Sequence, residues 1–238
     1  MTDHPSVADP VAAIALLDEP TRRRIFEFAT AAQHPVGRDD VASELGISRE
    51  LAAFHLDRLV NGGLLEAEYR RRSGRTGPGA GRPAKLYRRT DREVAISFPS
   101  RRYEAAANVF AEGIARLADP AAIDAVADVA REQGKDLGLE ARRIAGPRPS
   151  RRGQMAALME LLGRAGYEPA VDEKRGAVVL RNCPYDALVA EHRELTCGMN
   201  LAWAQGVAAA VDVPFRPVLA AREGVCCVEF ERPERDTE

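Results

Sequence analysis

The sequence predicts a mixed α+β protein in three parts: a helical domain with a hairpin, a helical region, and a small α/β domain. Three observations lead to this prediction. Apolar residues recur at helical spacing up to Asn61, and two strand-like segments then flank a Gly- and Arg-rich turn. Alanine-rich amphipathic stretches follow, and Gly146-Pro147-Arg148-Pro149-Ser150 separates them from alternating helices and strands. We place the three parts at residues 10–98, 99–146 and 150–232.

The composition is that of an ordinary globular protein. Its 238 residues are 45% hydrophobic and 29% charged, with a net charge of −2. No apolar run approaches the roughly 18 residues that a membrane span needs. The first residues lack the basic flank and the apolar stretch of a secretory signal. We therefore expect a cytoplasmic protein without a membrane partner.

Four helices are predicted in the first part, with the last two meeting in a tight turn. Gly46 supplies a left-handed backbone position between them, and Ser48 is a good N-cap for the fourth helix. Gly62-Gly63 ends that helix. We predict helices at residues 11–18, from about 20, at 38–45 and at 48–61, and strands at 64–70 and 85–89.

The fourth helix has one apolar face and one free face. The residues that fall on its apolar face, and that dock it on the domain, are Ile47, Ala52, Leu56 and Leu59. The residues left free for a DNA major groove are Ser48, Arg49, Ala53, Phe54 and Arg58. Arg49 is suited to guanine edges and Phe54 to thymine methyl groups. Glu50 is open to a different interpretation, as a salt-bridge partner of Arg58.

A basic segment follows directly. From Tyr69 to Arg89 the chain has seven arginines, Lys85 and no acidic residue, which is typical of a polyanion contact. A solvated basic loop is the alternative, but the position after the tight turn favours a wing along the phosphate backbone of double-stranded DNA. The pattern therefore predicts a winged helix-turn-helix. The expected wing contacts are Arg70, Arg71, Arg72, Arg75, Arg82 and Lys85.

The middle part is predicted as two helices, Tyr103–Leu117 and Pro120–Ile144. The second has a narrow apolar stripe, formed by Ile123, Val126, Val129 and Ala130. A helix with such a stripe usually packs against a partner. This pattern predicts a homodimer.

All four cysteines, Cys183, Cys197, Cys226 and Cys227, lie in the last part. Clustered cysteines in a reducing cytosol favour metal binding or redox chemistry. Their wide spacing is unlike the close pairs of a structural zinc site, and they converge only once the domain has folded. Neighbours on one strand point to opposite faces, so Cys226 and Cys227 cannot both face inward on one strand. If Val228 and Phe230 face the core, Cys226 faces it with them and Cys227 faces away, and a bulge at the start of the strand would reverse this. Both stay candidates.

Two groups of residues resemble a known family. Gly81-Arg82-Pro83-Ala84-Lys85-Leu86-Tyr87-Arg88-Arg89-Thr90, with Phe98-Pro99 and Tyr103, looks like the wing-to-linker signature of ArsR-like winged-helix regulators of the SufR type. Asn182-Cys183-Pro184-Tyr185, Glu191-His192 with Cys197, and Gly224 with Cys226-Cys227 and Phe230 resemble the C-terminal domain of that group. The resemblance covers the chain from about Leu16 to Phe230.

The resemblance implies a repressor whose DNA affinity depends on an iron–sulfur cluster of the 4Fe–4S type. Cys183 and Cys197 match the family motif directly, and Cys226 or Cys227 is the third cysteine ligand. The candidates for a fourth ligand are the other half of the adjacent pair, His192, Glu191, Asp186 or an external thiol.

Other functions compete with this one. The cysteines suit a zinc site, a thiol switch that joins Cys183 to Cys197, or plain burial in the core. A regulator that binds a small organic ligand near Trp203, Tyr185 and Met199 is a further alternative. An enzyme would need Cys197 as nucleophile and His192 as base, but a separation of five residues puts them on different faces of a helix. We therefore expect no enzymatic activity.

Overall fold

The structure is a computed structural model that describes residues 9–32, 34–70, 83–90, 92–99, 101–222 and 224–232. Contacts divide the chain into two compact units, Met1–Arg101 and Arg102–Glu238, which we call the N-terminal and C-terminal units. Each unit combines helices with a small antiparallel sheet. The prediction of a mixed α+β protein is thus confirmed.

The N-terminal unit packs helices against a hairpin. Its elements are α1 (Pro10–Ala15), a short 3₁₀ helix (Leu16–Asp18), α2 (Pro20–Ala31), β1 (Val36–Gly37), α3 (Arg38–Leu45), α4 (Arg49–Asn61), β2 (Leu65–Arg70) and β3 (Ala84–Arg89). The sheet order is β1-β3-β2, and both pairings are antiparallel. Ile25, Leu56 and Leu59 are fully buried in its core.

The turn between α3 and α4 forms as the sequence predicts. Gly46 has φ +65°, a left-handed conformation that a side chain would strain. Ser48 Oγ then accepts a hydrogen bond of 3.1 Å from the backbone N–H of Leu51, which caps α4. The two residues therefore fix where α4 begins.

The C-terminal unit places helices beside a four-stranded sheet. Its elements are α5 (Tyr103–Leu117), α6 (Pro120–Ala145), α7 (Arg151–Arg164), β4 (Pro169–Asp172), β5 (Ala177–Leu180), α8 (Asp186–Val211), β6 (Arg216–Leu219) and β7 (Val228–Glu231). The antiparallel sheet has the order β4-β5-β7-β6. Within the described ranges, no helix is long and apolar enough to span a membrane.

Helices α6 and α8 pack backbone against backbone. A Cβ atom at Gly134 would lie 2.1 Å from the carbonyl oxygen of Trp203, and one at Gly206 would lie 2.1 Å from that of Arg131. A Cβ at Gly138 would approach the carbonyl oxygen of Val207 to 2.9 Å. The three glycines thus allow an approach that any side chain would block.

This packing changes how two sequence predictions are interpreted. The segment Gly146–Ser150 was expected to separate a helical region from the last domain, but α6 packs on both α7 and α8 within one unit. Part of the predicted dimer stripe on α6 is also covered, because Ala130 is buried in the core of that unit. The glycine-mediated packing of α6 on α8 therefore places α6 in the same unit as the helices and strands that follow Gly146–Ser150.

Candidate functional site

Helix α4 presents a polar and aromatic face to solvent. Phe54 keeps 53% of its surface exposed. The guanidinium of Arg58 lies 5.5 Å from the centre of the Phe54 ring, a cation–π contact that holds both side chains together. Ala53, which the sequence also assigns to this face, is half-buried. The face therefore combines an exposed ring with an exposed cation.

Arg49 stands at the first position of α4 and is bound by its own chain. Its Nε lies 2.5 Å from Asp39 Oδ1, and its Nη2 donates to Asp39 Oδ2 at 3.2 Å. Both side chains are more than half exposed, so the pair is weak and exchangeable. The Glu50 carboxylate does not pair with Arg58. It accepts hydrogen bonds from its own backbone N–H and from the Ser48 side chain, and both lower its pKa.

The predicted wing is described only at its two strands. Arg71, Arg72, Arg75 and Arg82 lie outside the described residues. Arg70, the last residue of β2, has its Nε 3.2 Å from Glu68 Oε1. Lys85 on β3 has its Nζ 2.6 Å from Asp57 Oδ1, and the Tyr87 hydroxyl donates to the same oxygen at 2.9 Å. Lys85 therefore ties β3 to α4.

This ion pair leads to a pH-dependent prediction. Burial alone would raise the pKa of Asp57, but hydrogen bonds from Lys85 and Tyr87 outweigh it and lower the pKa. Because the folded-state pKa is below the unfolded one, the pair stabilises the fold at neutral pH and loses this effect as pH falls below about 4. We expect Asp57→Asn to lower the free energy of unfolding by about 0.5–1 kcal/mol at neutral pH.

Thermal denaturation followed by circular dichroism, at neutral pH and at acid pH, measures this difference. Glu27→Gln, which removes an exposed acid from α2, is the control for loss of charge. A cost of Asp57→Asn that stays the same in acid would contradict the assignment.

The four cysteines come together in two contacting pairs. Cys227 donates to Cys197, with the two Sγ atoms 2.6 Å apart. Cys183 hydrogen-bonds through its side chain to Cys226. All four are free thiols. The adjacent residues Cys226 and Cys227 thus join a cysteine that precedes α8 to one within it.

Both members of the adjacent pair are buried. Strand β7 begins at Val228, so neither cysteine is held to the alternation of a strand. The backbone N–H of Cys226 donates to the carbonyl of Leu180 at 2.8 Å, which fixes the chain at this point. The sequence left open which of the two cysteines faces the core. Because the strand starts only at Val228, both side chains face inward.

The thiols differ in acidity. The hydrogen bond from Cys183 lowers the pKa of Cys226. The same bond, together with burial, raises the pKa of Cys183. Burial, and then the contact with Cys197, raises the pKa of Cys227 to about 12. Cys226 therefore has the greatest thiolate character of these three cysteines.

A cavity of about 450 Å³ lies beside the cysteines. Three of them line it: Cys183, Cys226 and Cys227. Arg193 and Arg222 also line it, and Arg222 is paired with the buried Glu229. In the part of the chain that the structure describes, no three His, Cys, Asp or Glu side chains already surround a single metal-ion position. The donor set still fits an iron–sulfur cluster in kind, since thiolates are its usual ligands.

The structure separates the candidates for a fourth ligand. Asp186 lines the cysteine cavity, whereas Glu191 and His192 line a different one. Helix α8 is kinked at His192, whose Nδ1 lies 4.0 Å from Glu112 Oε2. His192 is thus directed towards α5, and Cys197 contacts Cys227. His192 and Cys197, which an enzyme would need as base and nucleophile, thus each contact a different residue and not each other.

The aromatic residues suggested for an organic ligand belong to the core. Trp203 is buried and stacks on Tyr167 with ring centres 5.3 Å apart. Tyr185 meets Tyr167 edge to face. Their partner Tyr167 donates its hydroxyl to Asn200 Oδ1 at 2.6 Å. These rings support the wall behind the cysteines.

Two residues near the cysteines were missed by sequence reasoning. Asn200 is buried, and its Nδ2 donates to Cys226 Sγ at 3.4 Å. Its position three residues after Cys197, on the same helical face, was the available signal. Glu229 is buried beneath Arg222, a residue of the cavity wall. Nothing in the local pattern predicts a buried carboxylate there.

Comparison with known proteins gives no match: no family model, no curated protein and no solved structure is significantly similar to this chain.

Proposed function

We propose that the chain is a DNA-binding transcriptional regulator: a homodimeric, cytoplasmic repressor with an N-terminal winged helix-turn-helix of the ArsR-like, SufR type. DNA binding is controlled by the four cysteines of the C-terminal unit. The observation that carries the DNA part is the exposed face of α4, at a helix whose opposite face is fully buried. The function is regulatory and not catalytic.

The geometry around α4 supports this proposal. A recognition helix needs a fixed start, an anchored inner face and a free outer face. Gly46 and Ser48 fix the start, Leu56 and Leu59 anchor the inner face, and Phe54 with Arg58 stands on the outer one. The β2–β3 hairpin, whose strands border the arginine-rich segment, is tied to the same helix through Lys85 and Asp57.

Selection from a pool of random double-stranded DNA by the full-length protein tests DNA binding. We expect an enriched sequence, and we expect Arg58→Ala and Phe54→Ala each to weaken binding to it by about 1–3 kcal/mol. Arg164→Ala, which removes an exposed arginine of α7, is the matched control. Failure to enrich any sequence, or equal effects of Arg58→Ala and Arg164→Ala, would contradict the proposal.

We propose an iron–sulfur cluster as the group that the cysteines hold, with Cys183, Cys197, Cys226 and Cys227 as the ligand candidates. Four thiols from three separate segments form two contacting pairs, and three of the four line one cavity. When bound, such a cluster would supply a group that reacts with oxidants and that depends on the iron supply. The residues of this chain would hold it and exclude water from its inner side. Control of DNA binding requires that the cluster-bound and cluster-free states differ in affinity for DNA.

Anaerobic purification tests this directly. We expect visible absorption, with iron and sulfide in comparable amounts, and we expect Cys183→Ser and Cys197→Ser to abolish all three. Met199→Leu, a conservative change beside Cys197, is the control that should leave them intact. A protein that stays free of iron and sulfide after reconstitution would exclude the cluster and leave the DNA proposal standing.

The contact between Cys197 and Cys227 favours a second candidate, a thiol switch. Oxidised glutathione would accept two electrons from the two thiols, giving a protein disulfide and two molecules of reduced glutathione. The sequence suggested a bridge between Cys183 and Cys197, whereas the contacts favour Cys197–Cys227 and Cys183–Cys226. Peptide mapping after oxidation of iron-free protein distinguishes these pairings. A peptide pair joining Cys183 to Cys197 would contradict the one that the contacts favour.

A further inference from the structure

Helix α5 exposes an apolar face that the C-terminal unit does not cover. Tyr103, Phe110 and Leu117 keep 77%, 70% and 70% of their surfaces exposed. Together with two small residues they follow a spacing of three and four, in the order Tyr103, Ala106, Phe110, Gly113 and Leu117. This spacing is the a/d pattern of a helix that pairs with another helix.

The opposite face of α5 already has a partner. Ala111 is buried, and α5 packs on α8 within the same unit. The free face therefore remains after the contacts of the unit are satisfied. A helix that is apolar on two sides and covered on one is typical of an interaction surface.

We propose that this face binds α5 of a second copy of the chain, antiparallel, about a two-fold axis that crosses the stripe midway between Phe110 and Gly113. In that register Phe110 lies against Gly113 of the second copy, and Leu117 lies against Ala106 of the second copy. The inference identifies the surface through which the proposed homodimer forms. It rests on the proposed function only for the existence of that homodimer.

Shape favours this register. Two of the three large side chains of the stripe, Phe110 and Leu117, each meet a small residue, so the two helices interdigitate there, as in a two-fold contact of one patch with itself. A parallel arrangement would set Phe110 against Phe110 and Gly113 against Gly113. The two rings would then clash, and a gap would remain between the two glycines. A Cβ at Gly113 meets no atom of its own chain within 4 Å, so the space above it is open to a partner.

Charge favours a second copy as well. Within α5, the charged residue that borders this face is Arg116, and it is paired with Glu112 at 2.6 Å in the same helix. Burial of the face would therefore leave Arg116 with its partner. A strongly charged ligand such as DNA finds no complement on this face.

Sedimentation velocity of the full-length protein, over a concentration series without DNA, tests the surface. We expect Gly113→Phe to raise the dimer dissociation constant at least tenfold, because the added ring fills the space that Phe110 of the second copy occupies. Gly113→Ala is the matched control and should stay dimeric. Since nothing lies near a Cβ at Gly113, Gly113→Phe should keep the thermal stability of the monomer. A wild-type monomer, or a Gly113→Phe protein that dimerises normally, would overturn the inference.

Photo-crosslinking tests the register. Benzoylphenylalanine replaces Phe110, and ¹⁵N-labelled chains are mixed with unlabelled ones so that crosslinks between copies are recognised by mass. We expect crosslinks between copies at and around Gly113. Crosslinks centred on residue 110 of the other copy, or within one chain to the N-terminal unit, would overturn it. DNA selection with the same proteins is measured separately, so failure of this surface is distinguishable from failure of the proposed function.

Discussion

Replacing Gly134 with alanine is expected to destabilise the C-terminal unit by about 3 kcal/mol, since overpacking of a well-packed contact costs this much. The added methyl group would lie 2.1 Å from a backbone oxygen of α8, which a rotamer change cannot relieve. The two helices would have to separate, and their contact is the largest between any two described elements.

Urea denaturation followed by the fluorescence of Trp203 measures this effect. Trp203 is the only tryptophan and is buried in the affected unit, so it reports on that unit alone. Gly163→Ala on α7 is the matched control, because a Cβ there meets nothing within 4 Å. That variant should gain about 0.5–1 kcal/mol from helix propensity. Equal effects of the two substitutions would show that α6 and α8 are not in close contact.

Replacing Glu229 with glutamine is expected to lower the free energy of unfolding by about 2 kcal/mol. Its buried carboxylate accepts two hydrogen bonds from Arg175, at 2.9 and 2.6 Å, and pairs with Arg222 on the other side. Loss of one partner from a buried ion pair costs about 3–5 kcal/mol. The expected value is smaller because both guanidinium groups are more than a third exposed.

The same urea experiment measures this loss. Glu231→Gln is the matched control, because Glu231 lies 3.2 Å from Arg175 and is far more exposed. It should cost less than about 1 kcal/mol. A cost of Glu229→Gln no larger than that of the control would contradict a structural role for the buried carboxylate.

Local signals in the sequence predicted most of the elements. The positions of Gly46 and Ser48 fixed the start of α4, because a left-handed turn and an N-cap each depend on one residue. Helix α3 and helix α5 have the predicted bounds. Strand β1 was missed, since two residues are too few to show an alternating pattern.

Long-range contacts were harder to predict. The glycines of α6 are visible at a spacing of four, but their partner on α8 lies about seventy residues away and leaves no local signal. Convergence of the four cysteines was predicted, and their pairing was not. The pairing depends on β7 starting at Val228 and on the hydrogen bond from Cys226 to Leu180. Neither feature follows from spacing.

Strand β7 occupies an inner position in its sheet, between β5 and β6, although it follows both in the chain. The hydrogen bonds that hold β6 in the sheet are therefore made with β7, and β5 also pairs with β7. Opening of β7 exposes both neighbours to exchange with solvent in one cooperative event. Since Cys226 and Cys227 directly precede β7, whatever binds the native thiols slows amide exchange in β5 and β6 as well as in β7 itself.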